Sequence, residues 1–337
     1  MSHLLAADIG GTKTIVALAA RASPWPSIVA EHTYASRDFS MLEGVIQNFM
    51  ARPGVAGHAG LVDAACFAVA GPVAGESTTL TNLGWRIEAG ELAARFRLRS
   101  VALINDFAAA GLGLPRLAGG DLVTLQEGRP RERGARLVIG AGTGLGVGWL
   151  TWDGGGYRAH DSEAGHADFA PVDEVQDRLL TSLRRNFGRV SYERVVSGPG
   201  LMRIFSFLQE GGTETPSREM IEASRSRPDA TAVIGEFGSA RRDPLAVKAL
   251  DLFVSTYGAF AGNLALSTLA HGGVYIAGGI APKIIAKLRE GGFMRAFNDK
   301  GRFSDLLKSI PVNVVMNPNV GLYGALLEAE RLASGAG

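Results

Sequence analysis

One pattern, written twice, constrains this chain more than any other feature. Residues 4–8 and 14–19 read as buried strands joined by Gly10-Gly11-Thr12-Lys13. Residues 136–139 and 147–151 read the same way, joined by the run Gly140-Ala141-Gly142-Thr143-Gly144-Leu145-Gly146. A strand, a Gly-rich turn carrying a Thr and a returning strand form a β-hairpin, not the strand-to-helix passage of a dinucleotide fold. Its recurrence implies two α/β halves built on one plan. Apolar runs at 64–69 and 101–104 add strands to the first half, and 273–276 adds one to the second. Helical periodicity marks 42–50, 92–96, 175–186, 200–209, 244–269 and 321–332. No low-complexity linker divides the chain, and the pattern places a boundary near residue 110.

At 337 residues there is length for two domains, and 46% hydrophobic with 20% charged residues is ordinary for a globular protein. The balance of 34 basic against 33 acidic residues, with no basic stripe, argues against nucleic acid as a partner. The densest basic run, Arg129 to Arg133, is diluted by Glu127 and Glu132 and reads as a solvated loop. Cys66 is the only cysteine, which removes intramolecular disulfides and multi-cysteine zinc sites. The apolar start at 4–7 is broken at once by Asp8, unlike a secretory leader, and later apolar stretches carry charges or turn residues. The expectation is a cytoplasmic protein with no membrane partner and no structural zinc.

Adjacent glycines let backbone N–H groups approach an anion, and the Thr hydroxyl adds a donor. Asp8, at the strand end, suits a phosphate-bound Mg²⁺, directly or through water. A tight hairpin needing positive φ is the plainer reading of Gly10-Gly11 taken alone. The second turn at Gly142-Thr143-Gly144 favours two anion cradles. No Gly-Lys pair exists for a Walker A loop, and Leu145 stands where a dinucleotide motif needs its third Gly.

Asn105-Asp106 ends an apolar strand, where reacting groups collect in α/β sheets. A carboxylate there suits a general base, but an Asp or Asn before a helix is also a preferred N-cap. Both roles do not fit one side chain, so Asn105 or the local backbone has to supply the cap. Glu163, His166 and Glu193 offer the acceptors and donors that match a rim of sugar hydroxyls. Zinc at His166 lacks a second His or a Cys at ligand spacing, and an exposed helix acid is the plainer reading of Glu193. Gly278-Gly279 follows a strand and precedes a helix, which suits bare backbone against an adenosine or a simple turn.

Together these segments resemble the bacterial glucokinase family, within the superfamily of sugar kinases, heat-shock ATPases and actin. The resemblance runs through 5–14, 71–85, 104–108, 138–148, 163–171, 193–200 and 275–283. Its most specific pieces are Ile104-Asn105-Asp106-Phe107, the block 163–171, and Glu193-Arg194-Val195-Val196-Ser197-Gly198-Pro199-Gly200. Ala164 and Ala141 stand where the family often has Gly and Pro, which bears on loop rigidity. A related family of repressors and kinases (ROK) usually carries a cysteine-rich zinc motif near its sugar-binding His. With one cysteine, this chain is similar to the zinc-free branch.

The resemblance implies an α/β fold of two actin-like (ribonuclease H-like) domains around a central cleft. Residues 1–110, joined by the C-terminal helix 321–335, would form the smaller domain, and 111–320 the larger. It implies ATP-dependent phosphorylation of D-glucose at its 6-hydroxyl, with Asp106 as general base. Asn105, Glu163, His166 and Glu193 would bind the other hydroxyls. Asp8, Gly10, Gly11, Thr12 and Lys13 would form the first phosphate turn, with Asp8 reaching Mg²⁺ through water. Gly142, Thr143 and Gly144 would form the second, and Gly278 and Gly279 would border the adenosine. A homodimer is expected. Three rivals remain: a kinase for another hexose or amino sugar, a sugar-sensing regulator, and an actin-like ATPase.

Overall fold

Strand β1 (His3–Ile9) is apolar on both faces from Leu4 onward except at Asp8, which is what a central strand covered on both sides requires. Alternation then sorts its side chains. Leu5, Ala7 and Ile9 enter one core with Leu42, Val45, Ile46 and Phe49 of helix α1 (Leu42–Met50). Leu4 and Ala6 enter another with Leu322, Ala325, Leu326 and Ala329 of the C-terminal helix Val320–Ala333. The structure, a computed structural model, describes residues 2–212 and 214–335. It divides into two units: Met1–Gly119 with Gly148–Asp161 and Asn317–Gly337, and Gly120–Val147 with Ser162–Met316.

In the first unit β1 pairs antiparallel with β2 (Lys13–Ala20), which pairs with β3 (Ser27–Ala35). On its other side lie β4 (Val62–Val69) and, beyond a small hairpin of β5 (Ser77–Leu80) and β6 (Trp85–Glu88) and helix α2 (Ala89–Phe96), strand β7 (Ser100–Asn105). These pair in parallel, β1 with β4 and β4 with β7, so Ile9, Val69 and Asn105 stand at one level. Asp8 and Asp106 therefore emerge at the same carboxyl edge, two strand spacings or about 10 Å apart.

Helix α3 (Asp106–Gly113) follows directly and touches the C-terminal helix backbone to backbone. A Cβ at Gly324 would fall 1.7 Å from the Ala109 carbonyl oxygen, and one at Gly113 would fall 2.0 Å from that of Val320. Any side chain at either glycine pushes the two helices apart.

The second unit repeats the plan, as the doubled sequence pattern implies. It holds β8 (Leu122–Gln126), β9 (Arg136–Ala141) and the first residues of β10 (Leu145–Trp152). β11 (Tyr157–Ser162) precedes helices α4 (Glu174–Phe187), α5 (Gly198–Glu210), α6 (Arg218–Ser226), α7 (Ala230–Ser239) and α8 (Pro244–Thr268). β12 (Gly273–Ala277) then pairs in parallel with β9, and β13 (Val312–Val315) with β12. The glycine run expected as one long turn is shorter. Gly140 and Ala141 complete β9, Leu145 and Gly146 open β10, and only residues 142–144 turn. Helix α8 is long and apolar enough by length and composition to cross a membrane, but 78% of its most apolar window is buried. It is the core helix of the second unit.

Candidate active site

The first turn is held by its own hairpin. Gly10 N–H donates to the Lys13 carbonyl at 2.9 Å, and Ser36 Oγ donates to the Gly10 carbonyl at 2.8 Å. Ser36 N–H reaches the Thr12 carbonyl at 3.1 Å, and buried Thr14 shares a hydrogen bond with Ser36 Oγ at 3.0 Å. Neither Gly10 nor Gly11 has positive φ, so the conformational reason for two glycines fails. Packing gives no reason at Gly11 either: a Cβ there would meet nothing closer than Asn82 at 3.8 Å. What remains is access to the backbone.

Asp8 lies behind this turn, beside the first residues of the C-terminal helix. A Cβ on Gly321 would come within 2.9 Å of its carboxylate. Loss of water raises the Asp8 pKa from 3.8 to about 6, against the opposing pull of Lys13. A second positive charge would lower it again, so the site suits a cation. Among the described residues no group of three or more His, Cys, Asp or Glu could hold a metal. A metal at Asp8 would take its other ligands from phosphate and water, as Mg²⁺ commonly does.

The conflict between base and cap at the end of β7 is resolved by division of labour. Asn105 Oδ1 accepts from the N–H groups of Phe107 (2.8 Å) and Ala108 (3.2 Å), while its amide donates to the Gly71 carbonyl at 3.2 Å. Asn105 is the N-cap of α3, which releases Asp106 from that duty. Asp106 is half-buried, and its Oδ1 accepts from Phe107 N–H at 3.0 Å.

In the second unit Glu163 and His166 flank a single 3-10 turn, Ala164–His166. His166 Nε2 lies 3.8 Å from Glu163 and 4.0 Å from Glu193. Glu193 sits in another such turn, Tyr192–Arg194, rather than on a regular exposed helix. Its carboxylate also accepts from Leu145 N–H at 3.0 Å and presses on Gly144, where a Cβ would fall 2.6 Å from Oε2. Thus one carboxylate joins the cluster at residues 163–166 to the turn at 142–144. The turn is further braced by Gly198 N–H on the Gly142 carbonyl (2.7 Å) and by Gly142 N–H on the Gly144 carbonyl (2.8 Å). Tyr257, fully buried, accepts from Ala141 N–H at 3.2 Å and donates to the Ile139 carbonyl at 3.3 Å. Burial pushes its phenol pKa well above the usual value.

Parallel pairing of β9 and β12 brings Gly278-Gly279 beside this turn. Gly278, at φ +80, is required twice over, since a Cβ there would lie 2.7 Å from the Ala141 carbonyl. Gly279 and Gly142 would meet nothing within 4 Å. Both line a cavity of about 920 Å³ that runs over Pro199, Thr231 and Ile284. The wall that α7 gives this cavity was not legible in the sequence, because the stripe that lines it, Thr231, Gly235 and Ser239, carries small residues in place of an apolar period.

A sequence model of the glucokinase family matches residues 5–332. A glucokinase from Nostoc sp. (strain PCC 7120) is 43% identical, over 98% of this chain and all of its own. The crystal structure of a glucokinase from an Antarctic psychrotroph aligns with a TM-score of 0.82 at 30% identity, over 98% of this chain and 99% of that one. A Balamuthia mandrillaris glucokinase solved in complex with glucose aligns at 0.78 and 23% identity, over 98% and 94%, a likeness of fold. The fold is the α/β architecture of actin-like sugar kinases.

Proposed function

The chain belongs to the glucokinase family of enzymes, and on that premise we propose that it moves the γ-phosphoryl group of ATP to the 6-hydroxyl of glucose. The observation that carries this reading is the placement of Glu193, which faces His166 and also bonds Leu145 beside Gly144. A cluster suited to sugar hydroxyls and a turn suited to phosphate share that carboxylate.

In this reading Glu163, His166 and Glu193 hold the sugar ring through its hydroxyls. Asn105, its oxygen committed to the cap and one amide hydrogen to Gly71, contributes the remaining hydrogen. Asp106 accepts the 6-hydroxyl proton as the sugar oxygen forms its bond to the γ-phosphorus, and the bond from that phosphorus to the ADP oxygen breaks. Backbone N–H groups of the turns at 10–13 and 142–144 stabilise charge on the phosphoryl oxygens. Asp8 would hold Mg²⁺ on the protein side, and the ion would supply neutralisation of phosphate charge. The family resemblance also carries the expectations of a homodimer, readable by sedimentation, and of a cytoplasmic setting.

A coupled assay offering glucose, mannose, fructose and N-acetylglucosamine, with ATP or polyphosphate as donor, tests the reading. Glucose with ATP is expected to give the highest kcat/KM. ATP turnover that ignores every sugar would sink it. Asp106→Ala is expected to lower kcat about 10²–10⁴-fold while glucose binding survives, and near-normal turnover would remove Asp106 from its role.

A further inference from the structure

His166 and Glu193 stand on two segments that pair with each other. Phe169 N–H donates to the Val190 carbonyl and Tyr192 N–H to the Ala167 carbonyl, both at 2.9 Å, around an antiparallel bridge between Asp168 and Ser191. Arg189 adds its guanidinium, which bonds the His166 carbonyl and lies 2.7 Å from Asp168. Both members of that ion pair are exposed, where such pairs contribute little. The buried member of the ladder is Tyr192, 4% exposed and one residue before Glu193. Its ring meets Phe169 edge-on, with centroids 5.7 Å apart, and Phe260 of α8 at 4.4 Å. Its hydroxyl accepts from Asn263 Nδ2 at 3.0 Å, and the backbone of Ala170 bonds it too. Asn263 is the only amide side chain on α8. A Phe and a Leu would fill the same space without taking two polar groups out of water, so plain core packing does not ask for this pair. What a satisfied buried polar pair adds is a single allowed arrangement. That arrangement reaches Glu193 through the backbone, since the Tyr192 carbonyl accepts from the N–H groups of Val195 (2.9 Å) and Val196 (2.7 Å) and closes the turn.

We propose that Tyr192 is a positioning residue for the sugar: its hydroxyl, held by Asn263, fixes the turn that keeps the Glu193 carboxylate on Leu145 N–H and facing His166. The proposal rests on the reading above that Glu163, His166 and Glu193 receive glucose. It adds that glucose affinity is set in part by a side chain of α8, 71 positions from Tyr192 in sequence. A carboxylate that drifts by a fraction of its hydrogen-bond length loses both its amide and its place beside the sugar.

The test compares Tyr192→Phe, Asn263→Leu and the double variant in the full-length chain. Each single change removes the bond and keeps the ring. Each is expected to raise glucose KM about tenfold, the scale of one buried hydrogen bond, with kcat and ATP KM within about twofold of the parent. The double variant should resemble Tyr192→Phe alone, because both changes break one bond. Amide hydrogen exchange gives a reading that needs no turnover. The Leu145 amide, held by Glu193, should exchange about tenfold faster in the variants, while the Ala141 amide, held by Tyr257, keeps the parent rate. Should one single variant fail to fold by circular dichroism, the other carries the test. Unchanged glucose KM and unchanged Leu145 exchange overturn the proposal, as does an equal rise in glucose and ATP KM, the mark of a merely loosened fold. A parent that phosphorylates no sugar, beside faster Leu145 exchange in the variants, defeats the kinase reading and leaves the hold on Glu193 standing. Intact phosphorylation with unchanged glucose KM defeats the hold alone.

Discussion

The turns at 10–13 and 142–144 arise from one sequence pattern, yet they are held by different physics. The first is self-contained: its hydrogen bonds come from its own hairpin and from Ser36, and its second glycine, Gly11, is sterically free. Its tension is electrostatic and sits in Asp8, a carboxylate whose pKa is raised to about 6. The second is wired to distant chain. Glu193 bonds and crowds it, Gly198 ties it to α5, and Tyr257 bonds the strand before it. The same motif can therefore serve as an access point in one place and as a junction in another.

Substitution of one glycine in each turn is the sharpest way to break this contrast. Gly144→Ala drives a methyl into Glu193, so it should lower kcat/KM for glucose about 10²-fold and weaken ATP as well, the scale of losing a positioned group. Gly11→Ala meets nothing within 3.8 Å and should leave glucose KM unchanged, with a smaller loss confined to ATP. Steady-state kinetics on both variants decides it, and equal effects on glucose KM would erase the distinction.

Asp8 provides the next test, through stability. Its folded pKa lies above the usual 3.8, so between pH 3.8 and about 6 the folded chain keeps a proton that the unfolded chain has released. Stability therefore falls as pH rises through that window, by about 3 kcal/mol for this group. Asp8→Asn should be more stable than the parent at pH 7, level with it near pH 4, and much less active. Denaturant melts at the two pH values check the sign. A parent more stable than the variant at pH 7 would mean that the carboxylate is not strained.

A smaller effect is expected at the end of β7. Asn105→Ala removes the cap of α3 and should cost about 1 kcal/mol, whatever it does to sugar binding. Asn105→Asp keeps the cap oxygen and should recover most of that stability, separating the structural role from the recognition role.

How much of this was legible depends on the range of the interaction. The two hairpins, α3 and α8 could be read because apolar runs and turn residues report local structure. β3 escapes such a reading, since it is an edge strand whose side chains alternate between exposed and half-buried with little apolar signal. The residue types at Asn105, Asp106, Glu163, His166 and Glu193 pointed to sugar chemistry, and the need for a separate cap left Asn105 or the local backbone to supply it, of which the structure uses Asn105. The grip of Glu193 on Gly144 was hidden, because 49 positions separate them and no local period records a contact made by folding.

The glycine contact between α3 and the C-terminal helix bears on how the chain is made. Residues 1–119 are made early, but the face of β1 that carries Leu4 and Ala6 takes most of its cover from Leu322, Ala325, Leu326 and Ala329, with Ala109 of α3 the nearer contributor. Asp8 likewise waits for Gly321. Until residues 320–333 have been translated, that face of the first unit's sheet lacks most of its cover. Removal of residues 320–333 would thus uncover its opening strand while leaving that strand's neighbours in sequence in place.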